Sequence, residues 1–155
     1  MIIDASIPFW RQVAKIVFLS LFLVCISAIS VSLIFPAESP AKFDLNLLNI
    51  FIIFVVLGPL IESILVIISV LLFSLFIKNK LLISILCGLI LAILHGVGEM
   101  ALSIIIFFPF VLYAFAYQIW QGKDGNKAFW LITLSHAIHN SIAISFASII
   151  KVIYL

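Results

Sequence analysis

The chain is a succession of long apolar runs parted by short polar breaks, "PAESPAKFD" at 36–44, "KNK" at 78–80, "GVGE" at 96–99 and "QGKDGNK" at 121–127. Wound as helices, the runs are apolar nearly all round, the pattern of helices solvated by lipid rather than of amphipathic helices on a water-facing core. Runs at about 16–35, 45–77, 81–98, 100–118 and 128–150 predict about five spans, because roughly 17–25 apolar residues cross a bilayer. The second run is too long for one straight span, and it contains Gly58 and Pro59. Proline lacks an amide hydrogen and clashes with the turn before it. Residues 45–57 are therefore expected to form a short or re-entrant helix that leads into a span from Pro59. The fold class is all-α: a polytopic transmembrane bundle in a single integral membrane domain over 1–155.

Composition agrees with the pattern. Hydrophobic residues make up 66% of the chain and charged residues 9%, against about 45–50% and 25% in soluble domains. A net charge of +2 is too small and too scattered to attract nucleic acid, so the basic residues report topology instead. With the N-terminus in the cytoplasm, Arg11, Lys15, Lys78, Lys80, Lys123 and Lys127 fall inside, and Lys42 and Lys151 outside, as the positive-inside rule requires. The first run is long enough to span and is expected to be a retained helix rather than a signal peptide. Trp10, Trp120 and Trp130 stand at predicted span ends, where amphipathic rings favour the interface. Cys25 and Cys87 occur singly in apolar segments, with no metal or redox spacing, and read as buried small hydrophobes.

What remains is a small set of polar side chains inside the runs: Glu62, His95, His136, His139 and Asn140, with Glu99 at a turn and Gln118 near an end. A charged group at membrane depth costs a few kcal/mol on the mildest scale, so it must face the bundle interior or a partner. His136 and Asn140 are one turn apart on one helical face. His139 lies at the edge of that face, where packing or a structural hydrogen bond is the expected role. His95 stands beside Gly96 and Gly98, whose lack of side chains permits close helix approach. Measured from the cytoplasmic ends, His136, Asn140, His95 and Glu62 lie at roughly 12, 18, 21 and 22 Å, compatible with one cluster. A buried carboxylate can act as general base toward water, and imidazole and carboxamide can donate to a developing oxyanion. The serines near His136 lack a GxSxG or Ser/Lys arrangement, which excludes a serine nucleophile. If a divalent metal such as zinc is bound, Glu62, His95 and His136 are the expected ligands, though not in an HExxH arrangement.

The order "GPLIES" (58–63), "LAILH" (91–95) and "HAIHN" (136–140) resembles the three motifs of the CPBP family of intramembrane CAAX-protease-like, bacteriocin-processing and self-immunity proteins. The resemblance covers about residues 45–150 and leaves 16–35 as an additional N-terminal span. The family pattern is Glu-Glu-x-x-x-Arg, then Phe-x-x-x-His, then His-x-x-x-Asn/Asp. Glu62 matches its first glutamate, His95 the second-motif histidine, and His136 and Asn140 the third motif. Ser63, Ile67 and Leu91 depart from it, standing where Glu, Arg and Phe are usual.

The resemblance implies an intramembrane endopeptidase in which Glu62 and His95 activate water while His136 and Asn140 stabilise the oxyanion. Its partners would be a peptide or membrane-protein substrate, lipidated or not, and membrane lipid. Its setting would be peptide or bacteriocin maturation or self-immunity in a bacterial plasma membrane. Ser63 and Ile67 point to the alternative, a non-catalytic immunity or peptide-binding protein on the same scaffold.

Overall fold

The computed structural model describes residues 3–35, 46–97 and 99–154, without the side chains of Leu47 and of 147–154. The polar break at 36–44, Lys42, Gly98 and the side chain of Lys151, all used in the topology and packing expectations above, lie outside these residues. Among the described residues every regular element is helical: α1 (Phe9–Ile34), α2 (Leu47–Phe51), a π-helical stretch (Ile52–Leu57), α3 (Gly58–Ser74), α4 (Lys80–His95), α5 (Met100–Trp120) and α6 (Gly125–Tyr154).

Local chemistry sets the helix starts. Pro8 stands at the N-cap of α1, where its missing N–H costs nothing. Asn46 Oδ1 accepts from the Asn49 N–H at 2.8 Å to cap α2, and Asn79 Oδ1 accepts from Leu81 and Leu82 at 2.9 and 3.1 Å to cap α4. Asp124 Oδ1 accepts from the Lys127 N–H at 3.0 Å, which holds its carboxyl below the usual carboxylate range at the start of α6.

The expected break at Gly58–Pro59 does not occur. Residues 47–74 run as one continuous helix, and Leu48–Ser74 is a single apolar segment long enough to cross a membrane. The proline is absorbed by widening the turn before it: the Gly58 N–H bonds the carbonyl of Ile53, five residues back. No separate re-entrant helix is formed.

Among the described residues three helices are both long and apolar enough to span, Phe9–Ile34, Leu48–Ser74 and Met100–Trp120. At 16 residues, α4 is only about 24 Å long, short of a full hydrocarbon core. In α6, the polar residues from Ser135 to Ser141 interrupt the apolar run.

The bundle is organised around α5, which packs on α1, α3, α4 and α6. Its buried face carries Phe110, Tyr113, Ala114, Ala116, Tyr117 and Trp120, and the two alanines let neighbours approach closely. Gly88 of α4 meets the side chain of Val111 and the Phe107 carbonyl with no room for a Cβ, and Gly96 meets Ser103 in the same way. The outside of the bundle carries exposed apolar residues, as at Phe18 on α1, Leu72 on α3, Phe76 just past its end, and Leu94 on α4.

Two expectations are corrected. Trp10 and Trp130 are exposed, but Trp120 is buried, edge-on to Phe9 with ring centroids 5.9 Å apart. The segment just ahead of α1 is tied to the same corner by Lys123 Nζ, which donates to the Ala5 carbonyl at 2.6 Å. Cys87 is buried, whereas Cys25 faces outward from α1.

Candidate functional site

Glu62 lies in the second turn of α3, His95 is the last residue of α4, and His136 sits near the middle of α6. Their side chains meet. Glu62 Oε1 is 2.9 Å from His95 Nε2, and Oε2 is 3.2 Å from His136 Nε2. One carboxylate thus bridges two imidazoles from two other helices. Side-chain exposure falls from 31% at His95 through 19% at Glu62 to 10% at His136, so the cluster is open on the α4 side and closed at its α6 end.

The second nitrogen of His95 fixes part of the proton inventory. His95 Nδ1 is 2.8 Å from the carbonyl oxygen of Leu91, one turn back. A carbonyl only accepts, so Nδ1 carries hydrogen and donates. The 2.9 Å contact between Nε2 and Oε1 is then a hydrogen bond only if one further proton is shared between them, as imidazolium and carboxylate or as imidazole and carboxylic acid. Either form places a transferable proton at the exposed side of the cluster.

Aromatic rings from α5 enclose the imidazoles. Tyr113 stacks on His136 with centroids 4.9 Å apart at 29°. Phe110 meets His136 edge-on at 5.7 Å and lies 5.1 Å from His95. Phe110 and Tyr113 are one turn apart, so both project from the same face of α5. The sequence reading passed over them because aromatic residues in an apolar run look like lipid-facing or packing residues. Their i, i+3 spacing opposite the histidines was the available signal.

Asn140 lies on the same helical face as His136, but its Nδ2 donates to the Phe54 carbonyl of the π-helical stretch at 2.8 Å. The structure therefore brings Glu62, His95 and His136 into mutual contact and gives Asn140 a backbone partner beside them. His139 is turned away toward α1: its Nδ1 is 2.8 Å from Ser20 Oγ, and it is buried. Ser63 is also buried. Gln118 belongs to a separate lock between α4 and α5, with Nε2 donating to Ser84 Oγ at 2.8 Å and to the Lys80 carbonyl at 3.0 Å.

Among the described residues no group of three or more His, Cys, Asp or Glu side chains is arranged to hold a metal ion. Both carboxylate oxygens of Glu62 are already engaged by imidazole nitrogens. What the cluster can do with its own groups is accept, hold and return protons beside an apolar, partly enclosed space.

Comparison of the chain with protein-family models, with curated proteins and with solved structures gives no match.

Proposed function

We propose that the chain is an intramembrane endopeptidase of CPBP type in which Glu62 activates water. The single observation that carries this reading is the contact of one carboxylate with two imidazoles, Glu62 with His95 and His136, from three helices of an apolar bundle. Burying three ionisable groups together is costly, and the family motifs that resemble "GPLIES", "LAILH" and "HAIHN" place the same residue types there. Glu62 takes a proton from water as the hydroxyl oxygen adds to the peptide carbonyl, then returns it to the departing amine. His95, held by the Leu91 carbonyl, keeps the second proton of the pair in place. His136 Nε2–H serves the oxyanion, with its ring oriented by Tyr113.

The same proposal includes about five spans, with α4 and α6 crossing beside Phe9–Ile34, Leu48–Ser74 and Met100–Trp120, and the N-terminus in the cytoplasm of a bacterial cell. The substrate is a peptide segment, lipidated or not, that enters from the α4 side, where His95 is most exposed. It also assigns the activity to peptide or bacteriocin maturation or self-immunity.

A second reading, a non-catalytic immunity or peptide-binding protein, is favoured by Ser63 and Ile67. Ser63 is buried on α3 and supplies no second carboxylate. The two readings separate in a cleavage and phenotype assay of wild type against Glu62→Gln, His95→Ala and His136→Ala at equal membrane levels. The peptidase reading expects each variant to lose about 10²-fold or more of cleavage. Full function in Glu62→Gln would sink it and leave the binding reading.

A further inference from the structure

The wide turn ahead of α3 and the carboxamide of Asn140 explain each other. A carbonyl in an α-helix meets the N–H four residues on, and in a π-helical turn the N–H five residues on. For Phe54 these are Gly58 and Pro59. The Gly58 N–H is spent on Ile53, and proline has no N–H to give. Asn140 Nδ2 donates to that carbonyl at 2.8 Å.

From this we infer that Asn140 is a positioning residue, replacing the amide hydrogen that Pro59 removes and thereby fixing α3 against α6 at the Glu62 site. The spacings support it. Glu62 follows Phe54 by eight residues, about two turns, and His136 precedes Asn140 by four, about one turn; the Glu62 side chain reaches back toward the bond, with Oε1 3.7 Å from where a Cβ on Gly58 would stand. One hydrogen bond between the two helices sets the separation across which Glu62 Oε2 and His136 Nε2 meet at 3.2 Å. A carbonyl without a donor in a lipid-solvated helix is strongly disfavoured, which gives the bond its holding force. This assignment replaces the oxyanion role expected for Asn140. Its consequence for catalysis rests on the reading of the Glu62 site above, but its cause does not.

A double-mutant cycle tests it. Pro59→Ala restores an N–H that the Phe54 carbonyl can use, so loss of the Asn140 carboxamide is expected to matter in the proline background and much less in the alanine one. The readouts are the thermal unfolding midpoint of the full chain in lipid nanodiscs and the ring ¹⁵N signals of its 3 histidines. Neither depends on cleavage.

Asn140→Ala is expected to lower the midpoint by roughly 3–6 °C and to move the His136 signal. In the Pro59→Ala background the drop is about half or less, and the His136 signal returns toward that of Pro59→Ala alone. Equal drops in both backgrounds would overturn the inference, as would failure of Pro59→Ala itself to accumulate in the membrane. If Asn140→Ala does not accumulate, recovery of the double variant supports the inference and its absence overturns it. A peptidase reading lost through an active Glu62→Gln would leave the cycle unaffected.

Discussion

At Ser20 the hydroxyl lies 2.9 Å from the carbonyl of Val17 on its own helix and 2.8 Å from Nδ1 of His139 on α6. A serine has one hydrogen to donate. With that hydrogen on Val17, the Ser20 oxygen accepts from His139 Nδ1–H. The contact ties α1 to α6 beside, not within, the Glu62 cluster, and both residues are buried. Ser20→Ala leaves the imidazole N–H without a partner and is expected to cost about 1–3 kcal/mol of stability. The pair Ser20→Ala with His139→Leu is expected to cost less than the sum of the single changes, because it removes both halves of the bond. Unfolding midpoints of the three variants in nanodiscs check this, and additive losses would show that the contact carries no coupling. The same residue-scale chemistry explains why His139 and His136 differ although they are neighbours in sequence: about 60° of helical rotation sends one to α1 and the other to Glu62.

The helices owe their mutual fit to a few small residues and caps. Gly88 allows α4 to reach the α5 backbone at Phe107 and Val111, and His95 stands two turns further along the same helix. A leucine at position 88 is expected to push α4 off α5, costing roughly 1–3 kcal/mol by overpacking and withdrawing His95 from Glu62. Gly122 has open space around it, so Gly122→Ala is the control. Loss of the His95 ring signal position in Gly88→Leu but not in Gly122→Ala would place the cause in the α4–α5 contact. A shift in neither variant would show that α4 is held by other contacts. The continuous 47–74 helix also belongs to this scale. Proline was expected to end a helix there, and instead the turn widened and a side chain from α6 supplied the missing donor.

For the whole molecule, the lysine-bearing turns at 78–80 and 121–127 lie at one end of the bundle, and the α4–α5 turn at the other. In a background of Cys25→Ser and Cys87→Ala, cysteines at Asn79 and Gly122 are expected to react with a membrane-impermeant maleimide only from the cytoplasmic side. A cysteine at Val97, which is 80% exposed, is expected to react only from outside. Labelling of all three from one side would refute the crossing of α4, and labelling at 79 and 122 from outside would refute the orientation. The exposed aliphatic and aromatic residues that cover α1, α3 and α4 are then the lipid-facing surface, consistent with a bundle whose polar groups are gathered inward.

Helical class, apolar character, most helix boundaries and the residue types of the candidate site were legible in the order of residues, for a physical reason. Lipid solvation demands long apolar runs with internally satisfied backbones, and each costly polar side chain within them stands out. Glu62, His95 and His136 could be selected on that ground alone. Their contact, the aromatic enclosure by Phe110 and Tyr113, the burial of Trp120 and the outward face of Cys25 were decided by how the helices pack. Packing depends on rotations and separations that an all-round apolar pattern does not encode. The position of Asn140 was hidden for the same reason: its carboxamide donates to the Phe54 carbonyl, 86 residues earlier in the chain, and only the tertiary structure brings the two together.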